Sequence, residues 1–230
     1  MYNIHKYTKE GDPMNDHNIE QNLYDFMGFL RKNEKVLICV PNRAGGIGGK
    51  IEQAVIRHDA VPVSRGEDLR WRTLLRLAFA EKVSTIIGPP LVILGLSKLA
   101  HANGTPLYVR NVMSAGSSCL DWMKEGIIQG LDCNLFIGDD SMNEDTLVYC
   151  SDPDLDDLRQ ELHSWTSILD CRLEKGQYGL EMEIVSFPGR QLPKLPSCAK
   201  LVVRPLNPEK DVPFGLLRDW ENLSFSQENH

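Results

Sequence analysis

Short apolar runs alternate with stretches of helical periodicity between residues 18 and 137, and this alternation constrains the fold more than any other feature. Runs that are apolar along their whole length are typical of strands in a parallel sheet that is covered on both faces. The sequence therefore predicts an α/β fold with five or more mostly parallel strands and helices on both faces of the sheet. The predicted strands are 35–40, 60–63, 83–87, 107–113 and 133–137, and the predicted helices are 18–32, 47–58, 67–82, 91–102 and 120–129.

The pattern changes after residue 139, where an acidic stretch begins. Beyond it we expect one helix and three short strands, the first two joined by a glycine-containing segment typical of a β-hairpin. We divide the chain into an α/β domain over 1–150 and a second region over 151–230, a helix with a small C-terminal antiparallel β-rich appendage. The segments of this second region are 154–164, 167–173, 180–187 and 200–204.

Charge and apolar run lengths exclude several classes of partner. The net charge of −7 argues against binding to a nucleic-acid polymer, which requires a basic surface. No apolar run reaches the length of a membrane span, and residues 1–13 lack the apolar core of a signal peptide. None of the six cysteines forms a C-x-x-C pair, so we expect buried, reduced thiols and no zinc or iron–sulfur site. These features predict a cytoplasmic protein.

A glycine-rich loop, VPNRAGGIGGKI, follows the first predicted strand and precedes a predicted helix. A Walker loop would need Gly where Ala44 stands and Ser or Thr where Ile51 stands. The dinucleotide fingerprint fails as well, because Ile51 occupies the place of its third glycine. Two interpretations remain: the glycines allow a sharp turn and close helix packing, or their amides face an anion at the helix N-terminus.

The segment 81–140, EKVSTIIGPPLVILGLSKLAHANGTPLYVRNVMSAGSSCLDWMKEGIIQGLDCNLFIGDD, resembles the adenylate-forming superfamily, in particular its phenylacetate–coenzyme A ligase-like branch. In that family a strand ending in Gly-Pro or Thr-Pro precedes a leucine-containing helix. A second strand leads into a Gly-Gly-Glu or Gly-Ala-Glu-like loop, and after another helix a third strand ends in Tyr-Gly-x-x-Glu. Residues 7–66 are similar to the stretch that follows the family's phosphate-binding loop.

The resemblance implies chemistry in which a carboxylate attacks ATP to form an acyl-adenylate, and a thiol then accepts the acyl group. The implied ligands are ATP or AMP, Mg²⁺, coenzyme A and a small carboxylic acid. Gly88 and Pro89 match positions that line the family's acyl pocket. A simple stop between a strand and a helix explains the Gly-Pro-Pro sequence equally well.

The loop 114–118 matches the family's adenine-binding loop, so the resemblance assigns Ser114, Ala115, Gly116 and Ser117, together with Gly138, to a nucleotide-binding site. Small side chains there permit close approach of the backbone to a flat ring. The alternative is an ordinary loop between a strand and a helix. Such loops lie at the carboxyl ends of parallel strands, where open α/β sheets bind ligands.

The sequence departs from the family at positions that matter for catalysis. Where the family has Tyr-Gly-x-x-Glu, this chain has Ile137 before Gly138 and Ser141 in place of the glutamate that holds magnesium. Asp139 and Asp140 are the candidate metal ligands in its place, because hard cations prefer carboxylate oxygens; a solvated acidic loop is the alternative. Only MYNIHK precedes residue 7, where the phosphate loop is expected, and no Tyr-Arg-Thr-Gly-Asp ribose motif occurs.

Three functional hypotheses follow from these departures. The first is a truncated adenylate-forming-like protein that binds a nucleotide or acyl group without the full machinery for activating ATP. The second is a divergent acid–thiol ligase that forms AMP and works with a partner subunit. The third is a protein-interaction scaffold, a homo-oligomer or a component bound to another protein, because an incomplete fold exposes apolar surface.

Overall fold

Six parallel strands form the larger of two sheets in the computed structural model. The structure describes residues 4–6, 16–42, 46–66, 68–115, 119–138 and 153–216. The strand order is β1-β6-β5-β4-β2-β3, and every neighbouring pair is parallel. This confirms the predicted α/β fold and its five predicted strands. The strands are β1 (Ile4–Lys6), β2 (Lys35–Ile38), β3 (Val61–Val63), β4 (Thr85–Gly88), β5 (Asn111–Ser114) and β6 (Asn134–Ile137).

Strand β1 was not predicted. It has three residues, and two of them, His5 and Lys6, are polar, so it lacks the apolar run by which the other strands are recognised. It lies at the edge of the sheet and pairs only with β6 among the described strands.

The helices cover both faces of the larger sheet. On one side α1 contacts α2, and on the other α3 contacts α4 and α4 contacts α5. Right-handed crossovers account for this division, because the chain moves one way across the sheet through α1 and α2 and the opposite way through α3, α4 and α5. The helices are α1 (Asp16–Phe26), α2 (Ile47–Arg57), α3 (Trp71–Ala80), α4 (Pro90–Ala102), α5 (Asp121–Leu131) and α6 (Pro153–Ser164). None of the helices in the described segments is long and apolar enough to span a bilayer.

Helix α4 is the most deeply buried helix of the described structure. Its residues from Pro90 to Ser97 are all buried, because α3, α5, the smaller sheet and the larger sheet surround it. A helix that is apolar on every side is expected in such a place. At Gly95 the ring of Trp71 occupies the space that a β-carbon would need, so α3 and α4 approach closely only because this residue has no side chain.

The smaller sheet contains β7 (Ile168–Gly176), β8 (Gly179–Ser186) and β9 (Lys200–Pro205). Strands β7 and β8 form the predicted hairpin, whereas β8 and β9 are parallel. The appendage is therefore mixed and only one of its two strand pairs is antiparallel. The reason is the connection 187–199, which contains three prolines and returns the chain to the starting end of β8 before β9 begins.

The segment after β9, the last strand of the smaller sheet, forms hydrogen bonds to α3, a helix that packs on the larger sheet. The backbone N–H groups of Trp71 and Arg72 donate to the carbonyl oxygens of Asp211 and Pro208, both at 3.0 Å. These donors belong to the first turn of α3, where a helix has no internal acceptors. The C-terminal segment therefore caps α3 from across the molecule. The division at residue 150 remains a prediction.

A buried carboxylate forms hydrogen bonds between the segments at the amino ends of β2, β4 and β5 in the larger sheet. The side chain of Glu34, 2% exposed, accepts hydrogen bonds from the hydroxyls of Ser84 at 3.0 Å and Thr85 at 2.5 Å. It also accepts the backbone N–H of Arg31 at 2.8 Å and lies 2.7 Å from a guanidinium nitrogen of Arg110. Burial raises the pKa of Glu34, but these donors together outweigh it and hold the pKa below its ordinary value of 4.5.

Candidate functional site

The order of the strands changes direction between β2 and β4. From β2 the chain adds β3 on one side, and it then adds β4, β5 and β6 on the other. Open parallel sheets bind ligands at the carboxyl ends of the strands at such a point, because the loops diverge there and leave a crevice. The loops that follow β2 and β4, which contain Asn42 and Pro89, begin at this edge.

Four of the predicted site residues meet at this carboxyl edge. The backbone N–H of Ala115 donates to the carbonyl oxygen of Gly88 at 3.0 Å, and that of Gly138 donates to Ser114 at 2.9 Å. Gly88 and Ser114 are also register partners at the ends of β4 and β5. The ends of three neighbouring strands thus bring together residues that lie 50 positions apart in sequence. Their roles in binding remain predictions, and the predicted residues Gly116, Ser117, Asp139 and Asp140 lie outside the described residues.

Gly88 has a structural role that is independent of any ligand. A β-carbon at this position would lie 2.7 Å from the β-carbon of Cys39, so the ends of β2 and β4 can pack only around a glycine. Pro89 is extended and precedes the first residue of α4, which is Pro90. Both the acyl-pocket interpretation and the strand-stop interpretation are compatible with this geometry, and a proline at the first helical position is well suited to begin α4.

The glycine-rich loop uses at least one glycine for packing. A β-carbon on Gly48 would collide with the carbonyl oxygen of Pro41, so the first turn of α2 packs directly on the end of the β2 segment. The side-chain amide of Asn42 donates to the carboxylate of Glu52 on the same helix. These contacts support the packing interpretation for Gly48. Residues 43–45, at the centre of the loop, lie outside the described residues.

The side chains at the edge are small, apolar or uncharged. Burial raises the pKa of the Cys119 thiol to about 11, although the hydroxyl of Ser114 and the ammonium of Lys124 oppose the shift, so this thiol is protonated at neutral pH. Phe136 stacks on Phe29 with ring centroids 3.9 Å apart. Because successive side chains of a strand alternate, half-buried Ile137 lies on the opposite face of β6.

A metal site has no support from the described residues. No group of three His, Cys, Asp or Glu side chains within them is arranged to hold a metal ion. The proposed magnesium ligands Asp139 and Asp140 fall in the gap between residues 138 and 153. The magnesium site therefore stays a prediction from the sequence.

A second cavity lies away from this edge and was not predicted. It has a volume of about 480 Å³ and lies between α4, α5 and α6. Lys98, Trp122 and His163 line it. One signal in the sequence could have indicated it, because Lys98 is the only lysine, arginine or acidic residue in α4.

Neither a family model nor a curated protein matches the sequence, whereas solved structures match the fold. Anthranilate CoA ligase AuaEII in complex with anthranoyl-AMP matches with a TM-score of 0.52 and 10% identity, over 91% of this chain and 64% of that one. 2-Hydroxyisobutyryl-CoA ligase in complex with R3-HIB-AMP matches with a TM-score of 0.51 and 9% identity, over 92% of this chain and 72% of that one.

Another structure of the latter ligase, with 2-HIB-AMP and CoA, is matched over 52% of this chain and 27% of the ligase chain, with a TM-score of 0.45. The chain therefore spans about a quarter of the length of that ligase. Identities as low as those of the two stronger matches show a shared fold and nothing more. This chain shares its fold with these two CoA ligases.

Proposed function

We propose that the chain binds AMP or an acyl-adenylate at the carboxyl edge of its larger sheet and does not activate carboxylic acids with ATP on its own. The observation that carries this proposal is the convergence of Gly88, Ser114, Ala115 and Gly138 at the carboxyl ends of three neighbouring strands, β4, β5 and β6, the edge at which open parallel sheets bind ligands. Both ligases with the stronger fold matches hold acyl-AMP adducts in their structures.

The residues of the edge suit a flat, uncharged ring. Ala115 is buried and has a small side chain, so a base can approach the backbone at the end of β5. Ile137 stands where the family's tyrosine stacks on adenine, and its branched side chain offers an apolar surface without an aromatic face. We therefore expect adenine to bind between these two strand ends, more weakly than it would on an aromatic ring.

The same positions disfavour activation of ATP. Ser141 replaces the glutamate that holds magnesium in the family, and a neutral hydroxyl offsets less of the charge of a bound cation than a carboxylate does. Without a magnesium-bound triphosphate, the pyrophosphate leaving group is not stabilised. We expect AMP to bind at least as tightly as ATP, and magnesium to change neither affinity.

Calorimetric titration of the purified chain with AMP and with ATP, each with and without Mg²⁺, tests the proposal. Binding of AMP that does not depend on magnesium, with no release of pyrophosphate from ATP and a mixture of carboxylic acids, is the expected result. Absence of binding for both nucleotides would refute the nucleotide site. Release of pyrophosphate by this chain alone would refute the non-catalytic part and favour the divergent ligase, and Asp139→Ala and Asp140→Ala would then test the metal ligands.

An aromatic substitution provides a sharper test of where adenine binds. Ile137→Tyr should tighten AMP binding several-fold, because stacking of a base on an aromatic side chain contributes about 1–3 kcal/mol. Val202→Tyr, on exposed β9, is the matched control and should leave the affinity unchanged. Equal AMP affinity in the Ile137→Tyr variant and the unaltered protein would contradict the assignment of this strand end to adenine.

One observation favours the interaction scaffold as a second candidate. Leu201, Val202 and Val203 are exposed by 45%, 40% and 39%, and they follow one another on β9, which lies at the edge of the smaller sheet. An edge strand with contiguous apolar side chains on both faces can pair with a second chain. Light scattering during size-exclusion chromatography distinguishes this candidate, since a monomer at high protein concentration would contradict self-association.

A further inference from the structure

The cavity between α4, α5 and α6 has polar groups in its wall that are buried and without a partner. His163, 5% exposed, lines the cavity, and neither of its ring nitrogens has a hydrogen-bond partner among the described residues. The indole N–H of Trp122, another lining residue, is buried and unpartnered in the same part of the structure. Buried polar atoms without partners are rare and costly in folded proteins, so each requires an explanation.

The two rings pack against each other in the wall of the cavity. Trp122 and His163 stack with their centroids 5.7 Å apart and their planes 29° apart. Burial, followed by the nearby charges of Lys98 and Arg159, lowers the pKa of His163 well below its ordinary value of 6.5. The imidazole is therefore neutral at pH 7 and offers one donor and one acceptor.

A lysine supplies positive charge to the same cavity. The ammonium of Lys98 donates to the carbonyl oxygen of Ile168 at 2.9 Å and lies 3.5 Å from that of Trp165, which leaves it capacity for a further acceptor. Burial lowers its pKa to about 8, so most of the population carries the charge at neutral pH. At the rim Arg190 adds a second positive charge and Glu125 one negative charge.

We infer that this cavity binds a small aromatic anion, with its flat apolar body against Trp122 and His163 and its anionic oxygens near the Lys98 ammonium. A volume of about 480 Å³ is within the range of small-molecule sites. The donors of Lys98 and Trp122 match anionic oxygens, which only accept hydrogen bonds. The remaining wall includes Leu94 and Ala102, which suit an apolar body.

This site is separate from the one proposed for adenine. It lies along α4 from Leu94 to Ala102, away from the strand ends that carry Gly88 and Ser114. The two proposals therefore stand on different residues, and either can fail without the other.

Fluorescence titration with a matched pair of probes tests the inference. Anilinonaphthalene sulfonate is an aromatic anion whose emission rises in apolar sites, and N-phenylnaphthylamine has the same rings without the sulfonate. We expect saturable binding of the anionic probe in a one-to-one ratio, and binding of the neutral probe that is about tenfold weaker because it lacks the charge-assisted hydrogen bond to Lys98.

Two variants locate the probe and one serves as control. Lys98→Met keeps the length of the side chain without its charge, and it should weaken the anionic probe about tenfold while changing the neutral probe little. Ser164→Trp fills the mouth of the cavity from an exposed position and should weaken both probes. Lys82→Met removes an exposed lysine elsewhere and should weaken neither.

Several results would overturn the inference. They are equal affinity for the two probes, unchanged affinity in Lys98→Met, or no saturable binding. If Lys98→Met does not fold, as judged by circular dichroism, the comparison of the two probes and the Ser164→Trp variant decide the question by the same criteria.

Discussion

Replacing Glu34 with glutamine should destabilise the protein strongly, although the two side chains have nearly the same shape. The two carboxylate oxygens accept all four donors of the cluster, from Arg31, Ser84, Thr85 and Arg110. A glutamine offers only one acceptor oxygen, and its NH₂ group would face a donor. Hydrogen bonds to a charged group contribute about 1.5–3 kcal/mol each, and an unpaired buried donor costs about 1–3 kcal/mol. Since the Arg110 side chain is 38% exposed and partly solvated, we expect a total loss of about 3 kcal/mol for Glu34→Gln.

Thermal unfolding followed by circular dichroism measures this loss. For a chain of this size about 3 kcal/mol corresponds to a fall in Tm of about 6–12 °C at pH 7. Because the folded pKa of Glu34 lies below the ordinary value of 4.5, its contribution is fully present above that pH and is lost as the pH falls through the folded pKa. The difference in Tm between the two proteins should therefore shrink when both are measured at progressively lower pH.

The matched control is Glu81→Gln. Glu81 pairs with Lys35 at 2.8 Å, but both side chains are 42% exposed, so this substitution should change Tm far less. Equal effects of the two substitutions, or a Glu34→Gln difference that is the same at pH 7 and pH 3, would refute the assignment of stability to the buried carboxylate.

Three further predictions concern the interior. Gly95→Ala should cost about 1–3 kcal/mol, because the new methyl group would meet the Trp71 ring, and an unchanged Tm would contradict this packing. A maleimide should label half-buried Cys198 in the native protein. It should label fully buried Cys39, whose pKa is raised by burial, only after the chain unfolds. Mass spectrometry of peptides distinguishes the two cysteines. Burial raises the pKa of Asp170 from its ordinary 3.8 to about 7, so the contribution of Asp170 to stability is lost as the pH rises from 3.8 to about 7. Asp170→Asn should therefore flatten the dependence of Tm on pH over that range. An unaltered slope would count against this prediction.

The strands and helices could be predicted because burial on both faces leaves a direct trace in the sequence. Strand β4, for example, consists of buried residues only, and its neighbours repeat that pattern. The parallel pairing of β8 and β9 left no such trace, because it depends on the route of the connection between them. Strand β1 is short and polar, so its place in the sheet depends on its partner β6.

Part of the candidate site, the place where its strand ends meet, was also predictable from the sequence. A strand that ends in Gly-Pro and a loop of small residues after the next strand indicated where Gly88 and Ser114 would meet, because carboxyl ends of parallel strands share one edge. The lone charge of Lys98 in apolar α4 indicates a polar neighbour, but the position of the second cavity was not predictable, since Lys98, Trp122 and His163 lie on three helices with no common spacing in the sequence. Only the packing of those helices brings them together.

The hydrogen bonds at the start of α3 also bear on how the chain is made. The guanidinium of Arg70 donates to the carbonyl oxygen of Glu209 at 3.0 Å, across 139 residues of sequence. At about 5–20 residues per second, a ribosome needs roughly 7–28 s to synthesise such an interval. During that time the first amides of α3 lack these backbone acceptors, which become available only when residues 208–211 leave the ribosome. The start of α3 in a nascent chain therefore stays uncapped by this segment for the whole of that interval.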